Sequence, residues 1–191
     1  MQAIIDACKE GRLHAEPVVV ISNNSESGAM ERARRENIPA YHLSSATHPD
    51  PTDLDAAITR TLKEHSVDLV ILAGYMKLLG PQTLTTYRGR ILNIHPALLP
   101  KFGGKGLYGK KVHEAVLAAG ETVTGVTIHV VDERYDAGPI LAQREVRVLQ
   151  GDTADSLADR VLEQEHKLYA ETIERIVQGE IDLDAVKSQR A

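Results

Sequence analysis

Short apolar runs alternate with amphipathic stretches along the whole of this 191-residue chain. That alternation limits its possible folds more than any other feature. The run at 67–73 is apolar except for Asp68, and Val18, Val19, Val20 and Ile21 are β-branched throughout. Strands buried on both faces of a parallel sheet read this way. Residues 39–43, 91–94, 123–131 and 140–148 read as further strands. Between them, 27–37 reads as a helix with Ser27 as its cap and Asn37 as its stop. Residues 53–65 place Leu54, Ala57, Ile58 and Leu62 on one helical face. Residues 81–87 form a short helix with Pro81 in its first turn, and 110–119 a helix closed by Gly120. A long helix is predicted over 153–177, capped by Asp152 or Thr153 and ended by Gly179. The charged tail beyond is expected to fray. Strands alternating with helices predict an α/β fold: a mostly parallel, doubly wound sheet with helices on both faces. Short connections and the absence of repeats predict one domain over 1–191.

One segment is out of place. Residues 2–10 already read as a helix, with Ile4, Ile5 and Cys8 apolar and no strand before it. Doubly wound sheets open with a strand and a loop that feed the first helix.

Composition narrows the function. A formal net charge of -5 argues against nucleic acid as a partner. Arg32, Arg34 and Arg35 read as a solvated helix face. Cys8 is the only cysteine, so no intrachain disulfide can form, and a reducing, cytoplasmic setting is expected. No apolar run is long enough to span a bilayer, so no membrane is expected. With one Phe and no Trp, the core must be aliphatic.

The chemistry concentrates at Asn93-Ile94-His95-Pro96. Strand alternation puts Asn93 and His95 on one side, and Pro96 has no N–H with which to continue a ladder. An amide donor and a titratable imidazole then sit side by side at a strand's C-terminal end, where open α/β sheets bind ligands. Such a pair suits a carbonyl oxygen that gains negative charge while a proton moves. A lone histidine near a strand end is more often structural, and its neighbours bring the two readings level. Asp136, in a loop bounded by Gly138 and Pro139, reads as a turn former unless it approaches His95. If it does, its charge favours imidazolium.

Several other signals carry bland readings. Gly104, Gly106 and Gly109 match a dinucleotide pattern, but no strand feeds them directly and no acidic ribose partner follows, so a flexible loop is expected. Gly74 permits a sharp exit from the 67–73 strand. The Met76, Leu78 and Leu79 side chains beyond it either line an apolar cleft or pack as core. Residues 163–166 read as a solvated helix face. His113, His129 and His166 have no matched metal spacing, so no metal is expected.

These residues resemble the folate-dependent glycinamide ribonucleotide formyltransferases. The resemblance rests on residues 67–76, 91–101, 124–131, 136–140 and 163–166, in order and at family-like spacing over nearly the whole chain. It implies a Rossmann-like formyltransferase domain acting in de novo purine biosynthesis. The formyl group of the cosubstrate 10-formyltetrahydrofolate would pass to the amine of glycinamide ribonucleotide. Asn93 and His95 would stabilise the oxyanion, His95 would donate a proton, and Asp136 would keep His95 charged. Met76, Lys77, Leu78 and Leu79, with Asp132, Glu133, Arg134 and Tyr135, would hold the pterin. Leu162, Glu163, Gln164 and Glu165 would contact the ribonucleotide, Glu165 reaching its sugar or amine. Amine attack on a formyl carbon needs oxyanion stabilisation and proton traffic but no metal.

Two departures from the family pattern stand out. The family's opening strand and Gly-rich phosphate loop have no match, so the resemblance implies a chain truncated at its N-terminus. A folate-contacting arginine found in some members is missing from 48–52. Two alternatives follow. One is a formyltetrahydrofolate hydrolase with the same Asn/His/Asp logic acting on water. The other is a silent folate-binding remnant. No oligomeric state follows from the sequence.

Overall fold

Ile91 and Leu92 are neighbours on one strand, yet their side chains end in different cores. Ile91 packs with Leu43, Ala57, Ile58, Leu62 and Tyr87, while Leu92 packs with Val126, Ile128, Val161 and Tyr169. Successive strand residues point to opposite faces, so a core lies on each side of the sheet. The structure is a computed structural model that describes residues 1–188.

In chain order the elements are α1 (Gln2–Lys9), β1 (Val20–Ser22), α2 (Gly28–Arg35), β2 (Ala40–His42), α3 (Pro51–Glu64), β3 (Val70–Leu72) and α4 (Pro81–Thr86). There follow β4 (Ile91–His95), α5 (Lys110–Ala118), β5 (Val123–Val130), β6 (Ile140–Arg147), α6 (Ala154–Val177) and α7 (Leu183–Ser188). The predicted helix caps hold. The Ser27 hydroxyl accepts from the Met30 N–H, and Thr153 forms a capping box with Ser156. α3 begins two residues earlier than expected because Asp50 takes the Thr52 and Asp53 N–H groups. α7 forms where fraying was expected. Its Leu183 is buried against the α6 core, which anchors the turn. The last three residues of the tail lie outside the described residues.

The strands form two ladders rather than one sheet. β1 pairs with β2 in parallel, and a second ladder runs β3-β4-β5-β6. Within the second ladder only β3 and β4 are parallel, since β5 pairs antiparallel with both β4 and β6. The α/β class holds, with a more mixed sheet than expected. β3 reads as the clearest buried strand in the sequence, yet its three residues are only half-buried. Burial of a strand depends on what pairs with each of its edges, and β3 is the edge of its ladder.

Two side chains tie neighbouring elements together. Tyr169 on α6 is buried, and its hydroxyl reaches the carbonyls of Leu72 at 3.1 Å and Leu92 at 2.9 Å. Asp55 on α3 accepts from the Gln82 N–H at 2.7 Å and the Thr83 N–H at 3.0 Å, so one helix caps the next. Asp55→Ala leaves those donors without partners. It is expected to cost about 2 kcal/mol, read by thermal denaturation as a fall in Tm of about 4–8 °C.

Candidate active site

β4 carries Asn93 and His95 on the face that also holds Ile91. In the β4–β5 ladder Asn93 lies directly opposite His129, and His95 opposite Thr127. Cross-strand partners share a face. Four polar side chains are therefore brought together by a register that no single segment specifies. The Asn93 amide nitrogen lies 3.1 Å from His129 Nε2. Thr127 works behind them, its hydroxyl donating to the Ala97 carbonyl at 2.6 Å and accepting from the Leu99 N–H at 3.0 Å. This holds the turn after Pro96 against the sheet.

Asp136 arrives from the β5–β6 connection. Its φ of 51° is left-handed, a conformation that Asp tolerates better than most residues. The turn directs its carboxylate between two imidazoles: Oδ2 lies 3.5 Å from His95 Nδ1, and Oδ1 lies 3.5 Å from His129 Nε2. Gly138, two residues on, runs so close to Val130 that a Cβ there would collide with the Val130 carbonyl. Only glycine admits that approach.

The loop after Pro100 closes the arrangement from the other side. His95 Nε2 donates to the Phe102 carbonyl at 2.8 Å, and the Gly104 N–H donates to Asp136 Oδ2 at 2.9 Å. The glycine pattern at 104–109 is thus more than a flexible loop. Its first member fixes the carboxylate, through a backbone group that carries no side-chain signal.

His95 is 4% exposed. Burial pushes its pKa down. Asp136 and the Phe102 carbonyl push it up, and the net result lies below the ordinary 6.5. Asp136 therefore favours imidazolium as expected, but desolvation is the larger effect. Burial pushes the Asp136 carboxyl up, but the His129 ring, the Gly104 N–H and His95 together bring it below its ordinary 3.8. His113 on α5 is also buried. Burial, then His95, push its pKa down, and its Nδ1 has no hydrogen-bond partner.

A cavity of about 600 Å³ opens beside Asp136, lined by Leu99, Pro100, Gly103, Gly104 and residues 134–140. Its volume falls in the range of small-molecule sites. Arg134 and Tyr135 line it. Asp132 instead accepts from the Arg134 N–H at 2.8 Å and shapes the turn, while Glu133 is exposed. Met76, Lys77, Leu78 and Leu79 lie outside this cavity's lining. Leu79 packs in the core, but Met76 is 53% and Leu78 49% exposed, so a plain core reading of this stretch fails.

On α6, Leu162 and Glu163 are exposed, while Gln164 and Glu165 are half-buried. Glu165 lies one turn before Tyr169, so it shares the helix face turned toward the ends of β3 and β4. Burial pushes its carboxyl up, opposed by the α-amine of Met1. That amine is itself pushed down by burial and by Arg32. The sequence reading of 163–166 as a solvated face fails at Glu165.

His129 is the residue that sequence reasoning missed. It is 2% exposed and touches both Asn93 and Asp136. Considered alone, its spacing tests only for metal. The available signal was parity. Val126, Ile128 and Val130 share one core, so His129 must face the other side of the strand with Val131.

A family model described as formyl transferase matches residues 1–173. The chain belongs to the formyl transferase family. Within that family it is similar to the chloroplastic phosphoribosylglycinamide formyltransferase of Vigna unguiculata, 46% identical over 181 residues. That match covers 94% of this chain and 58% of the relative, so the chain spans less than two thirds of the plant protein's length. The fold matches glycinamide ribonucleotide transformylase 1 from Symbiobacterium toebii with a TM-score of 0.87 and 43% identity, over 93% of this chain and 82% of that one. A formyltetrahydrofolate deformylase from Pseudomonas syringae pv. tomato also matches, with a TM-score of 0.81 and 28% identity, over 93% of this chain and 57% of that one.

Proposed function

We propose that this chain transfers the formyl group of 10-formyltetrahydrofolate to the amine of glycinamide ribonucleotide, a step of de novo purine biosynthesis. The carrying observation is that Asp136, which lines the 600 Å³ cavity, lies beside His95 and is linked through His129 to Asn93. The relatives' printed names favour the transferase over the hydrolase, which corresponds to the more distant match.

Each residue has a defined task in this reading. When the amine attacks the formyl carbon, the formyl oxygen gains negative charge. Asn93 donates an amide N–H to that oxygen, and His95 supports it as the second donor. The Phe102 carbonyl already engages His95 Nε2, so Nδ1 is the nitrogen that delivers the proton to the folate nitrogen as its bond to the formyl carbon breaks and tetrahydrofolate leaves. Asp136 faces Nδ1 and stabilises the ring when it is charged. It also orders the water that carries protons from the amine. Backbone around 103–104 and 137–139, with Tyr135, holds the flat ring, and the exposed Met76 and Leu78 give it an apolar margin. Lys77, Glu133 and Arg134 complete the folate side, while Asp132 shapes the turn and Leu79 packs against the core. Leu162, Glu163, Gln164 and Glu165 meet the ribonucleotide. The reading includes no nucleic acid and no resident metal. Among the described residues no helix is long and apolar enough to cross a membrane. The single thiol favours a reducing, cytoplasmic setting, although the plant relative is named as chloroplastic.

The test incubates the chain with 10-formyltetrahydrofolate, with and without glycinamide ribonucleotide, and follows tetrahydrofolate and formate. Amine-dependent tetrahydrofolate release without formate is expected. Formate release without the amine would make it a hydrolase. Binding of a folate analogue with no turnover would make it a remnant.

A further inference from the structure

The geometry points to His129 as a positioning residue that fixes which way the Asn93 carboxamide faces. The inference builds on the transfer reading above, but its geometric part stands on contacts alone.

His129 is almost wholly buried, and both ring nitrogens have neighbours. Nδ1 lies 3.1 Å from the Val130 carbonyl. A carbonyl only accepts, so Nδ1 carries a proton. In the neutral ring Nε2 is then a bare acceptor. The Asn93 amide nitrogen lies 3.1 Å from it and donates one of its two N–H groups. Asp136 Oδ1 is farther from Nε2, at 3.5 Å, and its charge pulls for a proton on that nitrogen, against the Asn93 donor. The shorter contact decides the pairing.

The consequence is a choice between two amide orientations. With Nε2 bare, turning the carboxamide over would set its oxygen against a lone pair. The observed orientation leaves the second N–H of Asn93 for a substrate oxygen. The reverse orientation would offer that oxygen an acceptor as it gains negative charge. Loss of one such donor typically costs about 10²–10³ in kcat. The ring itself is held by its surroundings. The β5–β6 register shifts between Ile128 and His129, a bulge that re-aims a side chain, and the Gly138 backbone covers its Nδ1 edge.

A proton on Nε2 would mean the opposite arrangement. His129 would then donate to Asp136 or to the Asn93 oxygen, and Asn93 would present its carbonyl differently. Two measurements separate these cases. The first is long-range proton–nitrogen correlation NMR on the wild-type chain, with His129 assigned by His129→Gln. A lone Nδ1–H form at neutral pH is expected, and a proton on Nε2 overturns the proposal. The second is a double-mutant cycle of His129→Leu with Asn93→Ala. His129→Leu alone is expected to lower kcat about 10²-fold with little change in either KM. In the Asn93→Ala background it should cost nothing further. An equal loss in both backgrounds, or no loss in either, overturns the proposal. A leucine variant that does not fold leaves the nitrogen measurement decisive. Wild-type protein without transfer activity would strike the functional reading, while the NMR result would still decide the role of His129.

Discussion

Replacing His95 with alanine is expected to lower kcat by about 10²–10⁴-fold, the usual contribution of a positioned proton donor. The chain should still fold. His95 contributes one hydrogen bond, to the Phe102 carbonyl, and stands at the end of β4 rather than amid its ladder. Circular dichroism should be unchanged while steady-state turnover collapses. A variant retaining wild-type turnover would remove His95 from the chemistry. The same change alters acid stability, with a sign fixed by the direction of the shift. The folded pKa of His95 lies below 6.5. Its neutral form therefore contributes stability that is fully present above 6.5 and is lost as pH falls through the folded value. His95→Ala should lose stability less steeply than wild type across that mildly acidic window.

Asp136→Asn should have the second largest effect, about a 10²-fold fall in kcat at neutral pH. The change is nearly isosteric, so the Gly104 N–H can keep an oxygen acceptor while the charge disappears. Asp136 raises the His95 pKa against the burial that lowers it. Removing the charge lets burial act unopposed, and the pKa falls further. If protonated His95 donates to substrate, the rate falls as pH rises through that pKa. The alkaline limb of the rate profile should then move to lower pH in the variant. An unmoved limb, with kcat reduced, would make Asp136 structural only. Stability again carries a sign. The Asp136 carboxylate, with its pKa below 3.8 in the fold, contributes stability present above 3.8 and lost as pH falls through the folded value. Asparagine abolishes that acid-dependent loss.

Much of this site is legible in the sequence because it depends on local periodicity. Alternation on one strand places Asn93 and His95 together, and Pro96 ends that strand without further help. The helix boundaries are legible for the same reason, since Ser27, Thr153 and Gly120 act within a few residues of themselves. His129 is different. Its meeting with Asn93 depends on the antiparallel register of β4 and β5, segments 36 residues apart. No short-range pattern encodes that register. Gly104 escapes notice because its contribution is a backbone N–H, which every residue but proline has. The half-buried state of β3 also escapes, because an apolar run reports what a strand can bury and not what pairs with its edge. Asp136 lies between these cases. Glycine and proline mark its turn, but only the left-handed backbone shows where the carboxylate goes.

The division of the strands into two ladders has a dynamic consequence. Among the described residues no backbone hydrogen bond joins β1 or β2 to the β3–β6 ladder, and the two groups meet through side chains alone. Opening the smaller ladder therefore breaks no rung of the larger. In deuterium exchange, the amides of residues 20–22 and 40–42 should trade their protons on a faster clock than those of 123–130. The three groups contributed by residues 93, 95 and 136 would remain assembled throughout such excursions.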